Sequence, residues 1–145
     1  MISFLAAVVA AGTTFTCTPT AVYDGDGPIW CAEGPKVRLA GIAAREMDET
    51  CRRNQPCPNA SAVEARDYLA NLIGKPIGRR PEGHILVKAA PMVCRSEGSG
   101  RGSRTAAWCA TAKGVDLSCA MVRSGKALRW VEYRGAEVCN RRPND

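Results

Sequence analysis

The chain has 145 residues, which is enough for one domain and too short for two ordinary ones. Hydrophobic residues make up 46% and charged residues 23%, a globular composition that excludes a disordered chain or a fibrous repeat. Lys and Arg number 20 against 14 Asp and Glu, and the net charge of +6 favours an anionic partner such as nucleic acid. The single His argues against a His-rich metal site or a Ser-His-Asp hydrolase.

Residues 1–12 are interpreted as a signal-like or disordered segment. They contain an apolar run, Ile2 to Ala11, typical of the core of a secretory signal, although no basic region precedes it. The run is too short to span a bilayer, and a frayed or strand-forming terminus is the alternative. We place the folded domain at 13–133 and a C-terminal tail, tied by Cys139, at 134–145.

The first half of the domain predicts short strands around turns. A strand is expected over 13–23, followed by a turn at 24–27, where Gly accepts a positive φ and Asp bonds its own backbone. Further strands are expected over 29–31 and 36–42, the latter beginning with the polar–apolar alternation of a half-buried strand. Residues 47–59 are polar and predict a loop.

Two helices have clear boundaries in the sequence. Residues 61–64 form a capping box, which opens a helix running to Ile73 and ended by Gly74. Asp116 caps a shorter helix over 117–124.

The remaining strands lie on either side of a Gly-rich segment. Strands are predicted over 84–89 and 104–111, with another ending near Cys94. Residues 96–103 predict a mobile loop rather than a phosphate cradle, because no Gly-Lys-Ser/Thr follows. Residues 75–80 are expected only to lead out of the first helix. About five short strands with one helix between the third and fourth indicate an α+β fold, a small closed OB-type barrel with two or three helices.

Eight Cys residues are the strongest compositional signal. Zinc sites use spacings as short as Cys-x-x-Cys, and no pair here is so close, so an even set of disulfides is favoured over a metal site. Hairpin geometry predicts the pairs Cys17–Cys31 and Cys94–Cys109, because Cys residues that flank a turn at similar distances lie opposite one another. Cys51 and Cys57 are expected to close a short loop, which leaves Cys119 to pair with Cys139. Disulfides persist in oxidising compartments, so we expect a periplasmic or secreted protein.

Four motifs, in order, resemble the staphylococcal-nuclease (thermonuclease) family. Residues 22–26 read Val-Tyr-Asp-Gly-Asp and residues 37–46 read VRLAGIAARE, similar to the family's DGD turn and its R-L-x-G-I-D-A-P-E stretch. Residues 102–108 resemble the family's Y-G-R strand start, and residues 115–127 its V-D-x-x-x-x-L-V-x-x-G-x-A helix. The resemblance covers roughly residues 14–133.

The resemblance implies a five-stranded OB barrel that cleaves DNA or RNA phosphodiesters with calcium. It implies that Asp26 ligates the calcium ion and that Asp24 supports it through water. Arg38 and Arg104 would clamp the phosphate. Glu46 would be the general base or would position the attacking water.

This chemistry needs no His. A phosphodiester repels an attacking hydroxide, and charge builds on its oxygens in the transition state. A hard cation with oxygen ligands and two guanidinium groups offset that charge, and one carboxylate beside the water supplies the base. Arg suits phosphate because its planar fork of donors binds two oxygens at once.

The sequence departs from the family pattern near the expected metal. Ala43 stands where the family has a second metal-ligating Asp, and a methyl group cannot coordinate calcium. Arg45 replaces the following Pro and adds a positive charge, while Gly102 stands where the family has a base-stacking Tyr. Asp48 and Glu49 are candidate substitute ligands. We therefore expect impaired or altered metal use.

Other conspicuous residues have simpler structural interpretations. Trp30, Trp108 and Trp130 fall in strand-like segments and are expected to pack in the core or at an edge, although an exposed aromatic on an OB surface can stack on single strands. His84 is expected to be structural. Adjacent arginines such as Arg52–Arg53 are solvated pairs or extend a phosphate track, which salt-sensitive binding would reveal.

Three functions remain open from the sequence. The preferred one is an exported, monomeric nuclease that acts on DNA or RNA, with single strands preferred, and uses one calcium ion. The second is a catalytically silent OB module that binds single-stranded nucleic acid, which Ala43 favours. The third is a Cys-rich extracellular interaction protein that keeps the barrel as a scaffold, since fold does not fix function.

Overall fold

The structure, a computed structural model, describes residues 7–142, which form mostly β-strands with two α-helices. Part of the signal-like segment predicted at 1–12, and the last three residues of the predicted tail, lie outside the described residues. The strands are β1 (Thr14–Cys17), β2 (Pro19–Val22), β3 (Ile29–Cys31), β4 (Lys36–Leu39), β5 (Ile42–Ala43), β6 (Lys75–Arg79), β7 (Ile85–Lys88), β8 (Met92–Ser99), β9 (Thr105–Ala110) and β10 (Leu128–Arg129). The helices are α1 (Ala62–Ile73) and α2 (Leu117–Arg123), with short 3-10 helices at Val131–Tyr133 and Gly135–Glu137.

Eight of the strands form one sheet, in the order β1-β8-β9-β4-β3-β2-β7-β6, and β5 pairs with β10 in a second, two-stranded sheet. All neighbours are antiparallel except β4 and β9, which run parallel with Val37 opposite Thr105. Within residues 7–142, the edge strands β1 and β6 do not pair with each other. The α+β class is therefore confirmed, whereas the prediction of a closed barrel of about five strands is wrong.

The strand count differs because two predicted strands are broken. The strand expected over 13–23 divides at Thr18, whose amide donates to Glu33 Oε1 at 2.6 Å instead of to a neighbouring strand. Pro19, which has no amide donor, then begins β2. The strand expected over 36–42 divides at Gly41, where a φ of 79° turns the chain.

Two strands occupy segments that were expected to be irregular. β6 is exposed along its whole length as an edge strand, so it lacks the apolar alternation by which a half-buried strand is recognised. β8 extends through Ser99 into the segment predicted as a mobile loop, and a register shift between Ser96 and Gly98 accommodates the glycine.

Both predicted helices are confirmed. Ser61 caps α1 by accepting a hydrogen bond from the Glu64 amide at 3.1 Å, and Asp116 caps α2 by accepting one from Cys119 at 3.1 Å. α1 ends before Gly74, where a Cβ would lie 2.4 Å from the Lys88 carbonyl oxygen. No helix in the described part of the chain has the length and apolar character needed to cross a membrane.

The core lies between one face of the sheet and the two helices. It includes Val22, Ile29 and Val37 from neighbouring strands, with Leu69 from α1 and Met121 from α2, all fully buried. Because side chains alternate along a strand, the residues between these strand positions point away from the core.

All four predicted disulfides are confirmed. Their Cα–Cα distances run from 4.1 Å for Cys94–Cys109 to 5.7 Å for Cys51–Cys57, and the described residues contain no free cysteine. The last pair ties the C-terminal segment to α2 through Cys139, and Val138 beside it is fully buried.

Candidate active site

The turn between β2 and β3 buries two carboxylates side by side. Asp24 is 5% exposed and Asp26 is 8% exposed. Asp24 Oδ1 accepts a hydrogen bond from the Asp26 amide at 3.1 Å, so the turn closes on itself. Gly25 leaves no room for a side chain, because a Cβ there would lie 2.5 Å from Ala65 Cβ and 2.8 Å from Ala44 Cβ. The turn is thereby packed against α1 and the segment that follows β5.

An ion pair between Asp26 and Arg38 joins this turn to β4. Asp26 Oδ2 lies 3.5 Å from Arg38 Nη2 and also accepts a hydrogen bond from the Ala44 amide at 3.1 Å. Alternation along β4 places Arg38 on the opposite face to the buried Leu39. The guanidinium donates to the carbonyl groups of Leu39 and Ile42, each at 3.3 Å. Arg38 is therefore held in one orientation beside the carboxylate.

Trp130 covers the guanidinium of Arg38. Its ring centroid lies 5.5 Å from Arg38 Cζ, a distance at which the ring face attracts a cation. The Trp130 amide donates to the Gly41 carbonyl at 2.8 Å, and the indole packs edge-on against Tyr133 at 4.7 Å. The pairing of β10 with β5 thus brings an aromatic ring from late in the chain to the site.

Glu46 reaches the site from the loop between β5 and α1. Its Oε1 lies 3.1 Å from Arg52 Nε. Burial raises the pKa of Glu46 above its ordinary value, Arg52 opposes that rise, and Asp26 adds to it. Arg104 and Arg38 also lower the pKa of Glu46, by smaller amounts than the burial raises it.

The pKa of the Asp24 carboxyl is raised well above its ordinary value. Burial is the largest cause, and the neighbouring charge of Asp26 is the next. Glu46 adds a smaller Coulombic contribution in the same direction. The Asp24 carboxylate therefore binds a proton more readily than an isolated surface carboxylate does.

One small cavity brings together all five residues predicted for the site. Its volume is about 10 Å³, close to the space that one water requires. It is lined by Asp24, Asp26, Arg38, Glu46, Arg52, Arg104 and Trp130. Arg104 lies just before β9, and within residues 7–142 its side chain makes no hydrogen bond or ion pair. Its guanidinium is therefore available to a ligand.

Ala43 and Arg45, two of the departures from the family pattern, differ in where they lie relative to the cavity. Ala43 is fully buried and offers only a methyl group. Arg45, expected to add its charge near the metal, does not line the cavity. Its Nε donates to the Pro58 carbonyl at 2.8 Å and its Nη1 to the Glu49 carbonyl at 2.7 Å, so it fastens the loop instead.

The candidate substitute ligands are not brought to the cavity. Asp48 is exposed, and its Oδ1 accepts hydrogen bonds from the amide and hydroxyl groups of Thr50. The carboxylate of Glu49 accepts a hydrogen bond from the Ala62 amide, at the start of α1. Both carboxylates thus stabilise local structure.

The carboxylate oxygens in the cavity are of the type that binds calcium, but few of them are present. The described residues hold no group of three or more His, Cys, Asp and Glu side chains arranged to hold a metal ion. Asp24 and Asp26 nevertheless supply paired, buried carboxylate oxygens, the donor type that Ca²⁺ prefers. Ca²⁺ takes about six to eight oxygen ligands, so this pair would leave most positions to water and substrate oxygens.

A larger cleft of about 880 Å³ adjoins the cavity, and the two share Arg38, Arg52 and Trp130. Five arginines and two glutamates line this cleft, so its charge is positive overall. The arginines are Arg38, Arg52, Arg53, Arg101 and Arg134. The cleft therefore suits an anion larger than a single phosphate group.

Two further residues line the site that the sequence did not assign to it. Arg52 was interpreted, together with Arg53, as part of a solvated pair or of a phosphate track. Trp130 was grouped with the other tryptophans, although only Trp130 lines the site. Trp108 is 5% exposed and belongs to the core, while Trp30 packs against His84 away from the cavity.

Neither a protein-family model nor a curated protein matches this chain.

Proposed function

We propose that this chain is an exported endonuclease that hydrolyses phosphodiester bonds of DNA or RNA, with single strands as its preferred substrate. The observation that carries this proposal is the cavity shared by Asp26, Arg38, Glu46 and Arg104 beside a basic cleft. Carboxylates and guanidinium groups in one small space supply both the base and the charge neutralisation that phosphodiester cleavage requires.

Each side chain has a separate task. Arg38 and Arg104 bind the non-bridging oxygens of the phosphate and offset the charge that builds there in the transition state. Arg38 is oriented before substrate binds, because Asp26 and the Trp130 ring already hold it. Glu46 accepts a proton from the attacking water, and its raised pKa makes it the stronger base.

Asp26, supported by Asp24, would hold a divalent cation, for which calcium is the expected ion. When bound, such a cation offsets negative charge on the phosphate and lowers the pKa of water. The burial of the two carboxylates side by side supports this assignment, since a cation relieves their mutual repulsion.

We further propose that the eight-stranded sheet is a partly open OB-type barrel over 13–133, and that the protein works as a monomer in the periplasm or outside the cell. The antiparallel order of β2, β3 and β4, with β9 added in parallel to β4, supports this topology. The same pairing sets Arg38 opposite Ala106, two residues after Arg104. Four disulfides support an oxidising compartment.

The direct test is cleavage of denatured DNA and of RNA by the oxidised protein, with millimolar calcium, with other divalent ions and with chelator. We expect metal-dependent cleavage that Glu46→Gln lowers by about 10²–10⁴-fold, the range for loss of a general base. Glu64→Gln is the matched control, because Glu64 is exposed on α1 and lines neither cavity nor cleft. Equal cleavage by Glu46→Gln and the wild type would overturn the assignment of Glu46.

A silent nucleic-acid-binding module is the second candidate, and the buried methyl group of Ala43 favours it. In that case the folded wild-type protein binds single strands and cuts none with any ion. The same assay, with binding measured in parallel, distinguishes the two candidates.

A further inference from the structure

The 51–57 loop, closed by a disulfide between its first and last residues, has a defined internal structure. The buried Gln55 stands at its centre. Gln55 Oε1 accepts a hydrogen bond from the Arg52 amide at 2.8 Å, and Gln55 Nε2 donates to the Ala44 carbonyl at 2.6 Å. The amide of Ala44 binds Asp26. The loop is thus coupled through one residue to the carboxylate turn.

This loop contributes three consecutive residues to the wall of the basic cleft, namely Arg52, Arg53 and Asn54. Asn54 adopts a φ of 66°, the left-handed conformation that Asn tolerates, and so produces a turn between Arg53 and Gln55. Within residues 7–142, the Arg53 side chain makes no hydrogen bond or ion pair, and it is exposed. The loop therefore presents cations to the cleft on a constrained backbone.

Arg52 lies where the small cavity meets the cleft, since it lines both. Its Nε approaches Glu46 at 3.1 Å, and its side chain remains 37% exposed. Among the described residues, its Nη atoms donate no hydrogen bond. A guanidinium has five donors in a planar fork, so one edge can hold a carboxylate while another meets a phosphate oxygen.

We propose that the 51–57 loop is a phosphate-binding element of the substrate site, in which Arg52 and Arg53 hold phosphates beside the one that is cleaved. The inference rests on the proposed function and deepens it, because it makes the substrate a polyanion that spans several nucleotides. Arg52 also positions Glu46, so this loop aligns the base with the bound chain. The disulfide and Gln55 fix the loop geometry before substrate binds.

The test is binding of a fluorescent single-stranded oligonucleotide, measured by anisotropy at several salt concentrations with chelator present. Glu46→Gln is the background, so that no cleavage interferes. We expect Arg52→Gln and Arg53→Gln each to weaken binding by about tenfold at low salt, as for loss of a charge-assisted hydrogen bond. Each should also reduce the slope of log K against log salt by about 0.7, the value for one phosphate contact to a single strand.

Arg79→Gln is the charge-matched control, because Arg79 is exposed on the edge strand β6 and lines neither cavity nor cleft. It should leave both affinity and slope unchanged. Arg53→Lys should restore most of the slope, since a lysine keeps the charge at the same place. A purely structural role for Arg53 would not respond to that exchange.

A second variant separates loop geometry from charge. Replacing both loop cysteines, Cys51→Ser with Cys57→Ser, keeps every arginine and releases the loop. We expect several-fold weaker binding by this variant, whose melting curve and far-UV spectrum show whether the rest of the chain is folded.

The outcomes distinguish this inference from the proposed function. If Arg38→Gln weakens binding but the loop arginines behave like Arg79→Gln, the loop proposal is overturned and the nuclease proposal stands. If the Glu46→Gln protein binds no oligonucleotide at low salt, both proposals fall.

Discussion

Two cations on the same face of β4 lie against indole rings, and their surroundings differ. Arg38 Cζ lies 5.5 Å from the ring centroid of Trp130, and Lys36 Nζ lies 4.8 Å from that of Trp30. The two cations are two residues apart on one strand, so alternation directs both away from the core. A cation over an aromatic ring is therefore not by itself what distinguishes the candidate site.

The difference lies in the groups around each ring. Beside Arg38 stands the buried carboxylate of Asp26, at 3.5 Å. Around Trp30 the further neighbours are Arg80, at 5.8 Å, and the ring of His84, at 5.9 Å. The first region combines a buried carboxylate, which can bind a cation, with an oriented guanidinium, which can bind a phosphate. The second, the Trp30 cluster (Trp30, Lys36, Arg80 and His84), is cationic and aromatic packing.

Between these two regions, the largest expected difference comes from neutralising the two β4 cations in turn. Arg38→Gln should lower kcat/KM for single-stranded DNA by about 10²–10³-fold, because a preorganised donor to the phosphate charge is lost. Lys36→Gln removes a charge of the same sign from the same strand face and should change kcat/KM by less than about threefold. Initial rates with denatured DNA in millimolar calcium measure both.

Equal losses in the two variants would show that β4 acts only through its overall charge, and the comparison would fail. Arg38→Lys sharpens the result, since a lysine restores the charge without the planar fork. It should recover only a small part of the lost activity.

Short-range chemistry predicted the elements that carry part of the site, whereas the roles of its residues, Glu46 and Arg104 included, followed only from the family resemblance. The turn at Asp24 and Asp26 and the strand carrying Arg38 were recognisable because Gly and Asp specify turns and alternation specifies strands. Arg52 and Trp130 reach the site through a disulfide loop and through the pairing of β10 with β5. Such long-range placements leave no local pattern in the sequence.

A second comparison concerns two glycines, one in each region. Gly25→Ala should destabilise the protein by about 1–3 kcal/mol, because its Cβ would lie 2.5 Å from Ala65 Cβ and the turn would have to move off α1. Gly78→Ala, on β6 two residues before Arg80 of the Trp30 cluster, places its Cβ 3.6 Å from Leu86 Cδ1, an ordinary contact. The free energy of unfolding of that variant should stay within about 0.5 kcal/mol of the wild type.

Urea unfolding of the oxidised proteins measures both changes. A Gly25→Ala protein as stable as the wild type would mean that the turn is not packed as tightly as the structure has it. The expected loss of cleavage in that variant should exceed its loss of folded protein, since the turn carries Asp24 and Asp26.

The fold shows the same division between local and long-range information. Capping residues predicted both helices, and turns or a short loop predicted three of the disulfides, because each depends on neighbours in sequence. Cys119–Cys139 followed only as the pair that remained. The division of the first strand at Thr18 depends on a hydrogen bond to Glu33 across the hairpin. The edge strand β6 depends on its pairing with β7 and buries no side chain of its own. Neither feature alters hydropathy, so neither was predicted.

The smallest expected effect distinguishes the two regions by the sign of their pH dependence. Burial lowers the pKa of His84, which Glu82 partly offsets and Arg80 reinforces. The unfolded chain then binds a proton at a higher pH than the folded protein does. The contribution of His84 to stability therefore falls as pH drops below its ordinary pKa of about 6.5. His84→Gln should flatten the curve of unfolding free energy against pH between about 7 and 5.

Asp24 should have the opposite sign. Its pKa is raised, first by burial and then by Asp26, so the folded protein holds a proton that the unfolded chain has released. The penalty for ionising Asp24 therefore begins as pH rises past the ordinary pKa of about 3.8 and is full above the folded pKa. Asp24→Asn still accepts the hydrogen bond from the Asp26 amide and should raise stability at pH 7 in the presence of chelator. If Asp24→Asn and His84→Gln changed the unfolding free energy in the same direction at every pH, the electrostatic difference between the two regions would be contradicted.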